Sequence, residues 1–157
     1  MTLYDFATRF VGMKEIAGES DNGFITWSHS LCGLGNDQHD EVPWCSSWLN
    51  ALAWMLRLPR SKSAAARSWL EVGVPVLFPG GPSVGYDVVI LKRGIGIQPG
   101  PEVTRGAPGH VGLYAGIEGD HVIVLGGNQG NAVSLHRFQM KNVLGVRRLR
   151  DQNGKVF

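Results

Sequence analysis

Residues 43–56 read P-W-C-S-S-W-L-N-A-L-A-W-M-L. Apolar side chains recur at Trp48, Leu49, Leu52, Ala53, Met55 and Leu56, a spacing that predicts an α-helix from Trp44 to Leu56. The apolar band is broad, which places this helix at the centre of the fold. Asp40 or Glu41 is positioned to cap its start, Pro43 suits the first helical position, and Pro59 ends it. Trp48 and Trp54 are expected in the core.

Toward the N-terminus, Thr2 and Asp5 have the spacing of a capping box, followed by Leu3, Phe6, Ala7, Phe10 and Val11 at helical intervals and a stop at Gly12. G-E-S-D-N-G at 18–23 reads as a turn. Asn22 or Asp21 starts a short second helix through Phe24, Ile25, Trp27, Ser28 and Leu31, and residues 33–41 form a polar loop. Toward the C-terminus, Ser63 starts a helix over A-A-A-R-S-W-L-E, closed by Gly73. Residues 73–85 hold four glycines and three prolines and read as a winding connection. The period then becomes strand-like. Strands are predicted over Val84–Leu91, His110–Ala115, His121–Leu125, Ala132–His136 and Leu144–Leu149. The second and third of these form a hairpin about a turn at 116–120. Helices first and an antiparallel sheet second make an α+β fold.

The chain has 157 residues and 18% charged residues, enough for one core and too apolar for wholesale disorder. Its 22 glycines are about twice the usual ~7% and follow no period, which excludes collagen. No apolar run approaches the ~20 residues of a membrane span. The opening M-T-L-Y-D-F-A-T-R-F carries Asp5 and Arg9 within its apolar pattern and does not read as a signal peptide, so export is expected by another route. Residues 1–45 hold two bases and seven acids, whereas residues 46–157 hold thirteen bases and six acids. Arg147, Arg148 and Arg150, extended by Lys141 and Lys155, make the densest basic run, either a solvated rim or a surface for a polyanion.

Cys32 and Cys45 are too few for a disulfide scaffold, although one bridge between them is open. Cys45 stands where the strongest helix begins. Free amides and the helix dipole favour a thiolate there, which a buried inert cysteine does not need. A thiol nucleophile wants an imidazole beside it and a group that orients the ring. His110 and His121 begin paired strands and are expected near one another; His29, His39 and His136 remain alternatives, and spacing selects none. Asn128, in G-G-N-Q-G at 126–130, is suited to bond a ring nitrogen and fix the tautomer, though the same residues suit a turn. His29, Cys32, His39 and Cys45 have a zinc-compatible composition without a compact ligand motif. Asp21, Asp37, Asp40 and Glu41 lack calcium-loop spacing. No alternating basic and aromatic track points to nucleic acid, and no phosphate-loop pattern points to a nucleotide.

Four stretches occur in order: P-W-C-S-S-W-L-N at 43–50, A-R-S-W-L at 66–70, G-H-V-G-L-Y at 109–114 and L-G-G-N-Q at 125–129. Together they resemble the small CHAP-like and NlpC-like cysteine peptidoglycan hydrolases, particularly those of bacteriophages and prophages, over about residues 3–149. The resemblance implies a papain-like fold, with N-terminal helices packed on an antiparallel sheet, in a single catalytic domain over 1–157 without a separate wall-binding domain. It implies amide hydrolysis in peptidoglycan, in the peptide stem or at the muramoyl-L-alanine link, with Cys45 as nucleophile, His110 as base and acid, and Asn128 orienting His110. Many CHAP domains carry a glutamate near the third position; residues 126–129 hold no acid, which implies an amide-type triad. Gln38 and the Cys45 N–H are candidate oxyanion donors, and Trp44 and Gln129 candidate cleft residues. A monomeric phage lysin is expected, needing no cofactor or metal and binding neither nucleic acid nor membrane. It would accumulate in the host cytoplasm until holin-dependent release, or travel in the virion. The alternatives are an antibacterial amidase effector with an immunity partner and a non-catalytic wall-binding phage protein.

Overall fold

The computed structural model describes residues 1–17, 20–34 and 43–157. Helix α1 spans Leu3–Thr8 and opens on the expected capping box: the Asp5 N–H donates to Thr2 Oγ1 at 3.1 Å and the Thr2 N–H to Asp5 Oδ2 at 2.8 Å. It ends four residues before Gly12. Helix α2 spans Gly23–Ser30, with Asn22 as its cap, accepting from the Phe24 and Ile25 amides. Helix α3 spans Cys45–Met55 with Trp44 in the cap position and no side-chain cap. Pro43 therefore precedes the cap rather than opening the helix, and Cys45 is the first helical residue. Asp40 and Glu41 lie outside the described residues. Every residue of α3 from Cys45 to Ala53 is buried, as expected of a central helix. Trp54 is the correction: it lies six residues, some 240° around the helix, from Trp48. It is half exposed and packs edge-on against Trp27.

The helix expected from Ser63 is a 3₁₀ turn over Ala66–Glu71. Four consecutive residues, Ala66 to Trp69, are buried there. The Gly/Pro-rich connection contains a strand that the sequence reading missed, β1 (Val74–Val76). Strands β2 (Asp87–Lys92), β3 (Gly109–Glu118), β4 (His121–Gln129), β5 (Ala132–Gln139) and β6 (Val143–Arg148) follow. They form one antiparallel sheet in the order β1-β6-β2-β3-β4-β5. The β3–β4 hairpin forms as expected, but β3 runs on through the expected turn to Glu118, which pairs with His121.

Side chains alternating along the strands feed two apolar layers. Val88, Ile90, Val111, Leu113 and Leu125 face the helices with Trp48, Leu49 and Leu52 of α3. Val89, Leu91, Tyr114, Val122, Val124 and Val146 make a second layer with Phe78 and Phe138. Both faces being covered explains why β2 is an unbroken buried run, D-V-V-I-L, instead of an alternating one. The molecule is thus α+β, with N-terminal helices and a six-stranded antiparallel sheet. Among the described residues no helix is long and apolar enough to cross a membrane.

Candidate active site

As the first residue of α3, Cys45 sits in the helical turn whose backbone amides have no partner within the helix, and where the helix dipole favours negative charge. Its thiol is free, as is that of Cys32. The sulfur lies toward the start of β3, near enough for the His110 ring and the Val111 N–H to act on its ionisation. Burial pushes the Cys45 thiol up. The hydrogen bond and charge of His110, the Val111 amide and the Arg93 guanidinium outweigh it, so the thiol lies below its ordinary value. In His110, burial and Arg93 oppose protonation, while the hydrogen bond and charge of Cys45 and the bond to Gln129 favour it. The net effect is upward. Both shifts favour a thiolate–imidazolium pair. Cys45 is 3% and His110 5% exposed, so the pair is screened little by solvent.

Gln129 bonds the other side of the ring. His110 Nε2 and Gln129 Oε1 are 2.9 Å apart. The Gln129 amide nitrogen donates to the Ser134 carbonyl at 2.6 Å and the Val124 carbonyl at 3.2 Å. Those two acceptors fix the amide, so Oε1 must face the ring. Nε2 then carries the proton of the neutral imidazole, and Nδ1 is left for the thiol. Asn128, expected in this role, is displaced from it by backbone geometry. The β4–β5 register shifts between Gly126 and Gln129, and Asn128 takes a left-handed φ of 57°. This bulge moves the next side chain, Gln129, onto His110; Asn128 lines the adjoining cavity.

Both glycines before Asn128 are required by close approach. A Cβ on Gly126 would lie 2.6 Å from Gln129 Oε1 and 3.4 Å from His110 Nε2. One on Gly127 would lie 2.6 Å from the Trp44 ring. Trp44 is fully buried against Gly127, its Nε1 donating to Glu15 Oε1 at 2.8 Å, so it braces the start of α3 instead of walling an open cleft. Gln38 lies outside the described residues.

Arg67 is a residue of the site region to which the sequence reading assigned no role. Its guanidinium is fully buried and donates to the carbonyls of Pro99, Gly100, Val103 and Pro108 at 2.8–3.0 Å. It gathers the loop that delivers Gly109 and His110 into β3. Only its place in A-R-S-W-L, beside the buried Trp69, hinted at a role.

The other candidates are elsewhere. His121 lies at the far end of the hairpin, eight residues along β3–β4 from the His110 level, about 25 Å at strand rise, and its Nδ1 is 2.7 Å from Asp120. His110 and His121 are therefore not neighbours. His29 is buried, with Nδ1 2.8 Å from Ser47 Oγ. Burial raises the Cys32 thiol, against a bond from the same Ser47. His136 is exposed on β5 and stands edge-on to Phe138. His39, Asp37, Asp40 and Glu41 lie outside the described residues, among which no three His, Cys, Asp or Glu side chains cluster as metal ligands. The basic run is tied into the fold. Arg147 donates to the Val72 and Gly73 carbonyls, Arg148 pairs with buried Asp87 at 2.6 Å, and Arg150 lies over Tyr86.

The β3–β4 ladder begins only at Leu113 and Leu125, and beyond it the bond between His110 and Gln129 bridges the two strands. A cavity of about 210 Å³ opens there, lined by His110, Gln129, Lys92, Arg93, His136 and Phe138. Comparison of the chain with family models, curated proteins and solved structures finds no match.

Proposed function

We propose that the protein is a cysteine-dependent amide hydrolase acting on peptidoglycan, of papain-like CHAP/NlpC type, and that it serves as a phage lysin. The observation that carries the chemistry is the buried Cys45–His110 pair, whose thiol is lowered and whose imidazole is raised, with Gln129 fixing the ring. The substrate class rests on the resemblance of the four ordered motifs, three of which supply these residues.

In this reading the Cys45 thiolate attacks the amide carbonyl carbon and the C=O π pair moves onto oxygen. The Cys45 backbone N–H, free at the helix start, is placed to donate to that oxyanion. As the C–N bond breaks, the imidazolium of His110 passes its proton to the leaving amine, and a thioester remains. His110 then takes a proton from water, whose oxygen attacks the thioester. The C–S bond then breaks, returning the Cys45 thiolate beside the His110 imidazolium, and the released acid gives its remaining proton to solvent. Gln129 holds the ring but brings no negative charge, so the imidazolium depends on the thiolate for its counter-charge.

The test is digestion of purified peptidoglycan by the protein and its Cys45→Ala variant, with mass analysis of the fragments. Release by the protein and none by a folded variant is expected. A new free lactyl-muramic end identifies an amidase; a new peptide amino group with the sugar link intact identifies an endopeptidase. Equal release by both proteins removes Cys45 from the chemistry.

A further inference from the structure

The cavity beside His110 has a feature that the hydrolytic steps do not use. Lys92 closes β2 and Arg93 follows it, and both line the cavity. Among the described residues neither pairs with a carboxylate, and no acidic side chain lines the space. The other ionisable groups facing it among the described residues are His110 and His136, which can add positive charge and not negative. Arg93 is near enough to act electrostatically on both members of the pair: it favours the thiolate and opposes the imidazolium. An anion between Arg93 and His110 would cancel the second effect.

We propose that this cavity is a subsite for a carboxylate carried by the peptide being cleaved, held by Arg93 and Lys92. Arg93 offers the planar fork that matches a carboxylate, and Lys92 a point charge beside it. Phe138, whose ring lies 5.2 Å from that of His110, supplies an apolar wall for the methylenes that carry the acid group. At about 210 Å³ the cavity is below the ~300–1,000 Å³ of ordinary small-molecule pockets, which suits one amino-acid residue and not a disaccharide. The subsite rests on the hydrolase reading for its substrate: a stem peptide with acidic residues, cleaved next to one of them.

The experiment compares a stem peptide with free carboxylates against the same peptide with those carboxylates amidated. Binding is measured by titration on the Cys45→Ala protein, so that it does not depend on turnover. Amidation is expected to weaken binding about 5-fold or more, the range of one partly exposed charge-assisted contact. In Lys92→Gln/Arg93→Gln on the same background the two peptides should bind alike, with the melting temperature kept because neither side chain pairs with a carboxylate among the described residues. Equal binding of the two peptides to the Cys45→Ala protein overturns the subsite. So does a preference that survives the double substitution. A preference that disappears in the double variant, together with no cleavage of either peptide by the unaltered protein, sustains the subsite and removes the hydrolase reading instead.

Discussion

Replacing Gln129 with Leu removes the acceptor of the His110 Nε2 proton and leaves the Cys45 side of the ring untouched. The lost bond stabilises a charged imidazolium and is largely shielded from water, since Gln129 and His110 are 7% and 5% exposed. Hydrogen bonds to charged groups contribute ~1.5–3 kcal/mol, and the cavity lets a water molecule recover part of that. A net loss of ~1.5 kcal/mol lowers the thiolate–imidazolium population roughly tenfold where that population is small. The sign follows from the directions of the two shifts. The thiol lies below its ordinary value of about 8.5 and the imidazole above its ordinary value of about 6.5, so both shifts favour the ion pair in the window around neutrality. Weakening the imidazolium narrows that window from both sides. Alkylation of Cys45 by iodoacetamide, followed from pH 5 to 9 and corrected for the folded fraction, reads the population directly. The variant should react about tenfold more slowly near pH 7, with its rise displaced toward alkaline pH. An alkylation profile superimposable on that of the unaltered protein would refute Gln129 as the residue that sets the ring.

Gly126→Ala should give the same alkylation defect, because its methyl would take the space between Gln129 Oε1 and His110 Nε2. Overpacking should also cost about 1–3 kcal/mol in urea unfolding. Arg67→Met leaves the Pro99, Gly100, Val103 and Pro108 carbonyls without their donor and should cost about 3 kcal/mol or more by the same measurement. Arg67→Lys should recover little of that loss, since an ammonium cannot span four acceptors arranged for a fork. Arg148→Met strands the fully buried Asp87 carboxylate with only the Ser83 N–H. It should cost about 3–5 kcal/mol, and adding Asp87→Asn should restore part of it.

The parts legible in the sequence were those governed by local periodicity or capping chemistry. Thr2 and Asp5 announced α1, Asn22 capped α2, and the apolar run after Cys45 made α3 and put the cysteine at a helix start. The errors arose where long-range geometry decides. Helical spacing alone did not tell that Trp54 sits on the far face from Trp48. The strand at Val74–Val76 exists because β6 offers it an edge, through pairings such as Val76 with Val146 that span some seventy residues. The choice between Asn128 and Gln129 turned on one extra residue in β4. A bulge inverts which of two adjacent amides faces a given side, and G-G-N-Q suits either outcome. The basic run at 147–150 was open to reading as a solvated rim because sequence cannot tell a solvated arginine from one held by carbonyls, as Arg147 is, or by a buried carboxylate, as Arg148 is.

A guanidinium keeps its proton throughout the range in which thiols and imidazoles exchange theirs. The strap that Arg67 draws around residues 99–108 therefore holds its shape while the chemistry next to it changes state. Mild acid or base should switch the reactive couple off without slackening this clasp, so a return to neutrality revives it with no rebuilding of the loop.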